Sequence, residues 1–233
     1  MSKEHPKGTN MTTIIHIDPD LPLHVLDKHG WTKGKFESGD GKVCAHGAIR
    51  LCAPVPGDAY LIEQVEGHLG RHSTGWNDND STTEADVRAW FAQGIDITDA
   101  DLEATFGHQW RAAVSLVRRA AVLTPDEAER LYAAGDAARF AARYAARVAA
   151  GDAAWDAARY AAGVAAGDAA WVAAGDAARY AAGDAAGYAA WVAALAIVTY
   201  DLATPDGPYT IEHRDLLLAP WIEVCGMPEG LVS

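Results

Sequence analysis

Five side chains able to ligate a soft metal or activate a nucleophile lie between positions 44 and 72: Cys44, His46, Cys52, His68 and His72. His68 and His72 stand four apart. They share a face if one helix carries both, as zinc-binding pairs often do. Neither a CxxC nor an HExxH spacing accompanies them, so Cys44, Cys52, His68 and His72 are metal candidates on residue type alone. Cys44 and His46 are two apart. On a helix they point about 200° from each other and cannot form a thiol–imidazole pair. A nucleophilic Cys44 would need His68 or His72 instead. The simpler expectation is structural thiols and no resident cofactor.

A second constellation is Trp76-Asn77-Asp78, followed by Asn79-Asp80. It is aromatic, amide-bearing and acidic at once, so it is a candidate binding loop. Such a loop more commonly caps the helix that follows and buries its Trp. Gly39 and Gly41 have no strand before them and no Lys-Ser/Thr after them. They mark a turn rather than a phosphate loop.

The elements that must position these residues read mainly as helices. Met11 to Ile17 is a short strand, and Leu21 to His29 a helix ending at Gly30. Val43 to Cys52 and Ala59 to Leu69 carry helical apolar spacing. Ser81-Thr82-Thr83-Glu84 reads as a capping box. Thr98 is expected to start one long helix with Leu102, Phe106, Trp110, Val114 and Val117 inward. Thr124-Pro125-Asp126-Glu127 combines a cap hydroxyl, Pro at the first helical position and Glu at the third. Thr210 caps a last helix, which Pro220 is expected to interrupt before Trp221.

From Ala133 to Ala194 the chain repeats the word Ala-Ala-x-y without a slip. Position x is Gly seven times, Arg five times and Trp three times; position y is mostly Asp, Tyr or Val. Four residues advance an α-helix by about 400°, so the Ala stripe drifts about 40° per word. A long coiled coil is therefore excluded. Three paths remain: a single rod about 100 Å long, helices broken or kinked at Gly-Asp, or a non-α coil. Gly-Asp stands at 135–136, 151–152, 167–168, 175–176 and 183–184, and four of these five steps are sixteen residues apart. Gly can close one helix and Asp open the next, which favours the broken or kinked path. Trp155, Arg159, Tyr160 and Trp171 are the residues in this arm suited to contact a partner.

The expected architecture is a small helical or α+β head (1–124), an Ala-rich arm of broken or kinked helices (125–200) and a C-terminal capping helix (201–233). The chain has 233 residues, half of them apolar, and a net charge of −13. That charge argues against nucleic-acid binding. No apolar run is long enough to span a membrane. The odd count of three Cys and the polar start fit a reduced, cytoplasmic protein.

His29-Gly30-Trp31, Cys44-Ala45-His46-Gly47-Ala48-Ile49 and Trp76-Asn77-Asp78, taken in this order, resemble a domain family of unknown function from actinobacteria and their phages. The resemblance covers about residues 20–95. The arm is similar to Ala-rich repeats of immunity-type phage proteins. The resemblance implies an actinobacterial or phage origin and brings no catalytic residues. The expected function is non-enzymatic: protein binding or scaffolding in phage–host interaction, with a protein partner or self-association through the Ala seams. The rival is a Cys/His- or zinc-dependent enzyme in the head. A third expectation is ice or surface binding by a regular Ala face.

Overall fold

The computed structural model describes residues 12–34, 37–134, 168–203 and 210–231. These segments are mainly helical. Strand β1 (Thr13–Ile17) pairs antiparallel with β2 (Ile95–Thr98), placing Ile15 opposite Ile97 and Ile17 opposite Ile95. All four isoleucines are buried. His16 and Asp96 point outward and meet at 2.8 Å. Strand β2 was not apparent in the sequence, because its four residues Ile-Asp-Ile-Thr run directly into a helix cap.

Between the strands lie α1 (Asp20–His29), α2 (Ala45–Cys52), α3 (Asp58–His68), the short α4 (Thr74–Asp78) and α5 (Glu84–Phe91). After β2 come α6 (Asp99–Phe106), α7 (Trp110–Ala120) and α8 (residues 125–134). The helix expected to run unbroken from Thr98 is in fact α6 and α7, separated at Gly107. The capping box expected at Ser81 and Glu84 sits two residues later, on Thr83 and Asp86. Ser81 and Thr82 are diverted: the Ser81 hydroxyl donates to Asn79 Oδ1 and the Thr82 hydroxyl to the Trp76 carbonyl. The boxes at Thr98–Asp101 and Thr124–Glu127 form where the sequence places them.

The last part of the repeat is α9 (Asp168–Val198), which has one non-helical residue, Gly183 at φ 69° and ψ −176°. There the chain reverses. A Cβ added to Gly175 would lie 2.5 Å from the Trp191 ring, and one added to Gly187 would lie 3.1 Å from Arg179 Cγ. On a straight helix residues 175 and 191 would be about 24 Å apart. The two limbs are therefore an antiparallel hairpin centred on a left-handed Gly. Two pairs equally distant from Gly183, 175/191 and 179/187, face each other, and each sets a Gly against a large side chain. Residues 135–167, with the remaining Gly-Asp steps up to Gly167, lie outside the described residues.

The second limb does not project from the head. Ala190, Ala193, Ala194, Leu195, Ala196 and Ile197 are wholly buried, so the helix is covered almost all round. The hairpin as a whole packs against α7, α3, α6 and α10 (Ile211–Cys225). Its side chains join Ile15, Phe91, Leu102 and Leu131 in one core. Pro220 does not interrupt α10, contrary to expectation. The Pro and the adjacent Trp221 are buried against this core, and their packing offsets the lost backbone bond.

Two outcomes follow. Gly175→Ala drives a methyl into the Trp191 indole and is expected to cost about 1–3 kcal/mol in urea unfolding; Trp191→Ala in the same chain should remove most of that penalty. Glu63 on α3 is raised to about 7 by burial, with Arg50 opposing and Asp176 of the hairpin adding to the rise. A carboxyl raised in the folded state stabilises below its unfolded range and loses that contribution as pH rises. Stability should therefore fall from about pH 4.5 to about pH 7, and Glu63→Gln should flatten that limb of a melting-temperature profile.

Candidate functional site

The three quoted motifs meet on one side chain. Asn77, in α4, is buried. Its Oδ1 accepts the Trp31 indole N–H at 3.0 Å and the Ala45 backbone N–H at 3.1 Å. Its amide NH2 donates to Asp78 Oδ1 at 2.8 Å, and the same oxygen accepts the Gly34 N–H at 2.7 Å. Only this amide orientation satisfies two donors on one end and a carboxylate on the other. Lys33 adds a bond from its ammonium to the Asn79 carbonyl at 2.7 Å. The His29-Gly30-Trp31 turn is thereby fixed to the start of α2 and to α4.

Local sequence prepares each partner. Cys44 caps α2, its Sγ accepting the Gly47 N–H at 3.3 Å. Ser73 caps α4 by accepting the Trp76 N–H. Gly30 closes α1, and its carbonyl accepts the Val43 N–H.

Beside this knot lies an aromatic cluster. His72 stacks on Trp90 with ring centroids 4.5 Å apart and planes 14° apart, and meets the edge of Trp76 at 4.7 Å. His46 lies 6.0 Å from Trp90. Glu66, almost fully buried, receives His72 Nδ1 at 3.1 Å and Arg71 Nη2 at 2.7 Å. His46 is 1% exposed, and neither ring nitrogen has a hydrogen-bond partner among the described residues. Burial holds its pKa down at about 4, with Asp78 pulling the other way.

The thiols are arranged for packing. Burial raises Cys44, Cys225 and, to about 11, Cys52. Cys52 donates to the Ile49 carbonyl. His68 closes α3, while His72 lies beyond it and turns to Glu66, so the pair is not carried on one helix face. Among the described residues no three His, Cys, Asp or Glu gather as a metal site requires. Also among them, no helix is long and apolar enough to cross a membrane.

Of the binding candidates, Trp76 and Asp78 are engaged in the knot and its cluster, and Asn77 is enclosed by it. Trp171 belongs to the first turn of α9. Trp155, Arg159 and Tyr160 lie outside the described residues. Sequence reasoning missed Trp31, His46 and Trp90 as members of one assembly; only the order of the three motifs hinted at it.

Residues 23–97 match DUF6197, a family of unknown function. The DUF6197 match runs from α1 into β2, so it encloses the Asn77 knot and the aromatic cluster together. No curated protein and no solved structure matches the chain significantly.

Asn77→Ala would strand the Trp31 indole N–H and the Ala45 N–H in the interior. At about 1–3 kcal/mol per buried unsatisfied group, it should be among the most destabilising single changes in the head, read by urea unfolding. Trp31→Phe removes one donor together with its need and should cost less.

Proposed function

We propose that this chain is a non-enzymatic protein-binding scaffold whose contact surface is the Ala-rich hairpin, held in place by the head. The observation that carries the reading is the composition of the hairpin's exposed side. Arg179 lies over the Tyr180 ring at 4.8 Å and bonds its hydroxyl at 3.0 Å. Tyr188 stacks with Trp191 at 5.8 Å. Tyr180 and Tyr188 are 48% and 47% exposed. Tyr and Arg, here ordered by Trp191 beneath Tyr188 and by their own contact, are among the residues that dominate binding energy at protein interfaces.

Other readings have less support. An enzyme working through Cys44 needs a thiolate, and burial opposes its formation. Self-association or ice binding through Ala faces draws no support from Ala189, Ala190, Ala193, Ala194 and Ala196, whose side chains are buried in the chain's own core. The motif resemblance to actinobacterial and phage proteins supports phage–host interaction as the setting, in the bacterial cytoplasm.

Host proteins retained by the intact chain and lost with Tyr180→Ala/Tyr188→Ala, at unchanged far-UV circular dichroism, then confirmed with the purified partner by calorimetry, support the proposal. Identical retention by both chains overturns it. For the rival, a chain with Cys52→Ala and Cys225→Ala should show Cys44 reacting with a disulfide reagent at least about 100-fold more slowly than after unfolding. Rapid native reaction would restore the enzyme reading.

A further inference from the structure

We propose that His46 makes the Asn77 knot acid-labile: proton uptake by this enclosed imidazole releases α4 and the His72 turn from α2 and α5, leaving the rest of the fold standing. The geometry sets the requirement. His46 sits in the first turn of α2, next to Ala45, whose N–H is held by Asn77. Its ring is packed near Trp90, against whose face His72 stacks. No ring nitrogen makes a well-formed hydrogen bond, the His72 backbone being the polar group that faces the ring; an imidazolium would add a second N–H and a charge to that enclosed site.

The surroundings answer the charge only in part: the His72 backbone and Asp78 favour it, and burial outweighs both. From α4, Asp78 is the facing carboxylate, and its Oδ1 already receives the Asn77 amide and Gly34. From the turn after α3, His72 faces the ring, bound to Glu66, which also holds Arg71. A protonated His46 therefore draws Asp78 away from Asn77 and opposes any charge on His72. Both effects act on the segment that carries the knot.

The sign is fixed by burial. A base held down to about 4 in the closed form, from an ordinary 6.5, contributes stability above pH 6.5 that is lost as pH falls through that window. At pH 4.5 the open form gains about 60-fold relative to pH 7. Glu63 acts oppositely over the same range, at the hairpin rather than the knot. The test therefore uses the full chain carrying Glu63→Gln.

On lowering the pH from 7.5 to 4.5, near-UV circular dichroism of that chain should be lost with a midpoint between 4 and 6.5. Far-UV ellipticity should be retained. His46→Phe in the same background should keep the near-UV signal through pH 4.5, and His72→Gln should not. An unchanged transition in His46→Phe overturns the proposal. If that variant does not fold, amide exchange in the Glu63→Gln chain decides, corrected for intrinsic rates. Faster exchange confined to Ala45 and residues 72–79 at pH 4.5 supports the proposal; unaltered protection there overturns it.

Discussion

One amide oxygen sets the geometry of the head. Asn77 Oδ1 receives a side-chain donor from the turn after α1 and a main-chain donor from the start of α2. An Ala or Leu at this position could fill the space but could satisfy neither. The Ala45 donor cannot turn to water, because Asn77 and Ala45 are both buried. Segments distant in sequence are thus held by an interaction that is costly to leave unmade, which fixes one arrangement of them rather than several. The aromatic cluster inherits its order from this arrangement, since Trp76 and Asn77 are consecutive in α4.

The repeat solves a different problem. Ala gives helical propensity and allows close approach, but a four-residue word drifts around the helix. Reversal at Gly183 turns the drift to use. Facing positions lie four and eight residues on either side of the bend, over which the stripe rotates by only about 80°. Across those two words the x residues oppose each other, Arg179 against Gly187 and Gly175 against Trp191. Small against large lets the limbs pack without a gap. Beyond them the word ends, and Ala196, Ile197 and Val198 carry the limb into the common core.

Legibility tracked the range of the interaction. The caps at Thr98, Thr124 and Thr210 depend on three or four adjacent residues and could be read directly. The box expected at Ser81 failed because Ser81 and Thr82 serve turn contacts with Asn79 and Trp76, which local pattern does not reveal. Strand β2 is defined by its pairing with β1, eighty residues away in sequence. The knot was visible only as three motifs in a fixed order, because their meeting point is tertiary. The burial of the second limb was hidden for a related reason. Ala is compatible with surface and core alike, so a run of Ala carries little information about which it faces.

These constraints bear on what the molecule is suited to do. Three buried groups of the head, Cys44, Glu66 and His46, sit where a change of ionisation would disturb packing. Cys44 is used as a cap acceptor, Glu66 as an anchor for His72 and Arg71, and His46 as enclosed volume. A reactive site reverses these priorities: it exposes the nucleophile, lowers its pKa and aims a base at it. Here burial raises the thiols and keeps the His46 imidazole shut away from solvent. The exposed, preordered polar and aromatic surface lies instead on the hairpin, at Arg179, Tyr180 and Tyr188. The hairpin is anchored to the head through α3 and α7. On the binding role proposed above, the core would serve to keep that surface in one orientation, since the hairpin's ordered aromatic side chains rest on helices packed into it.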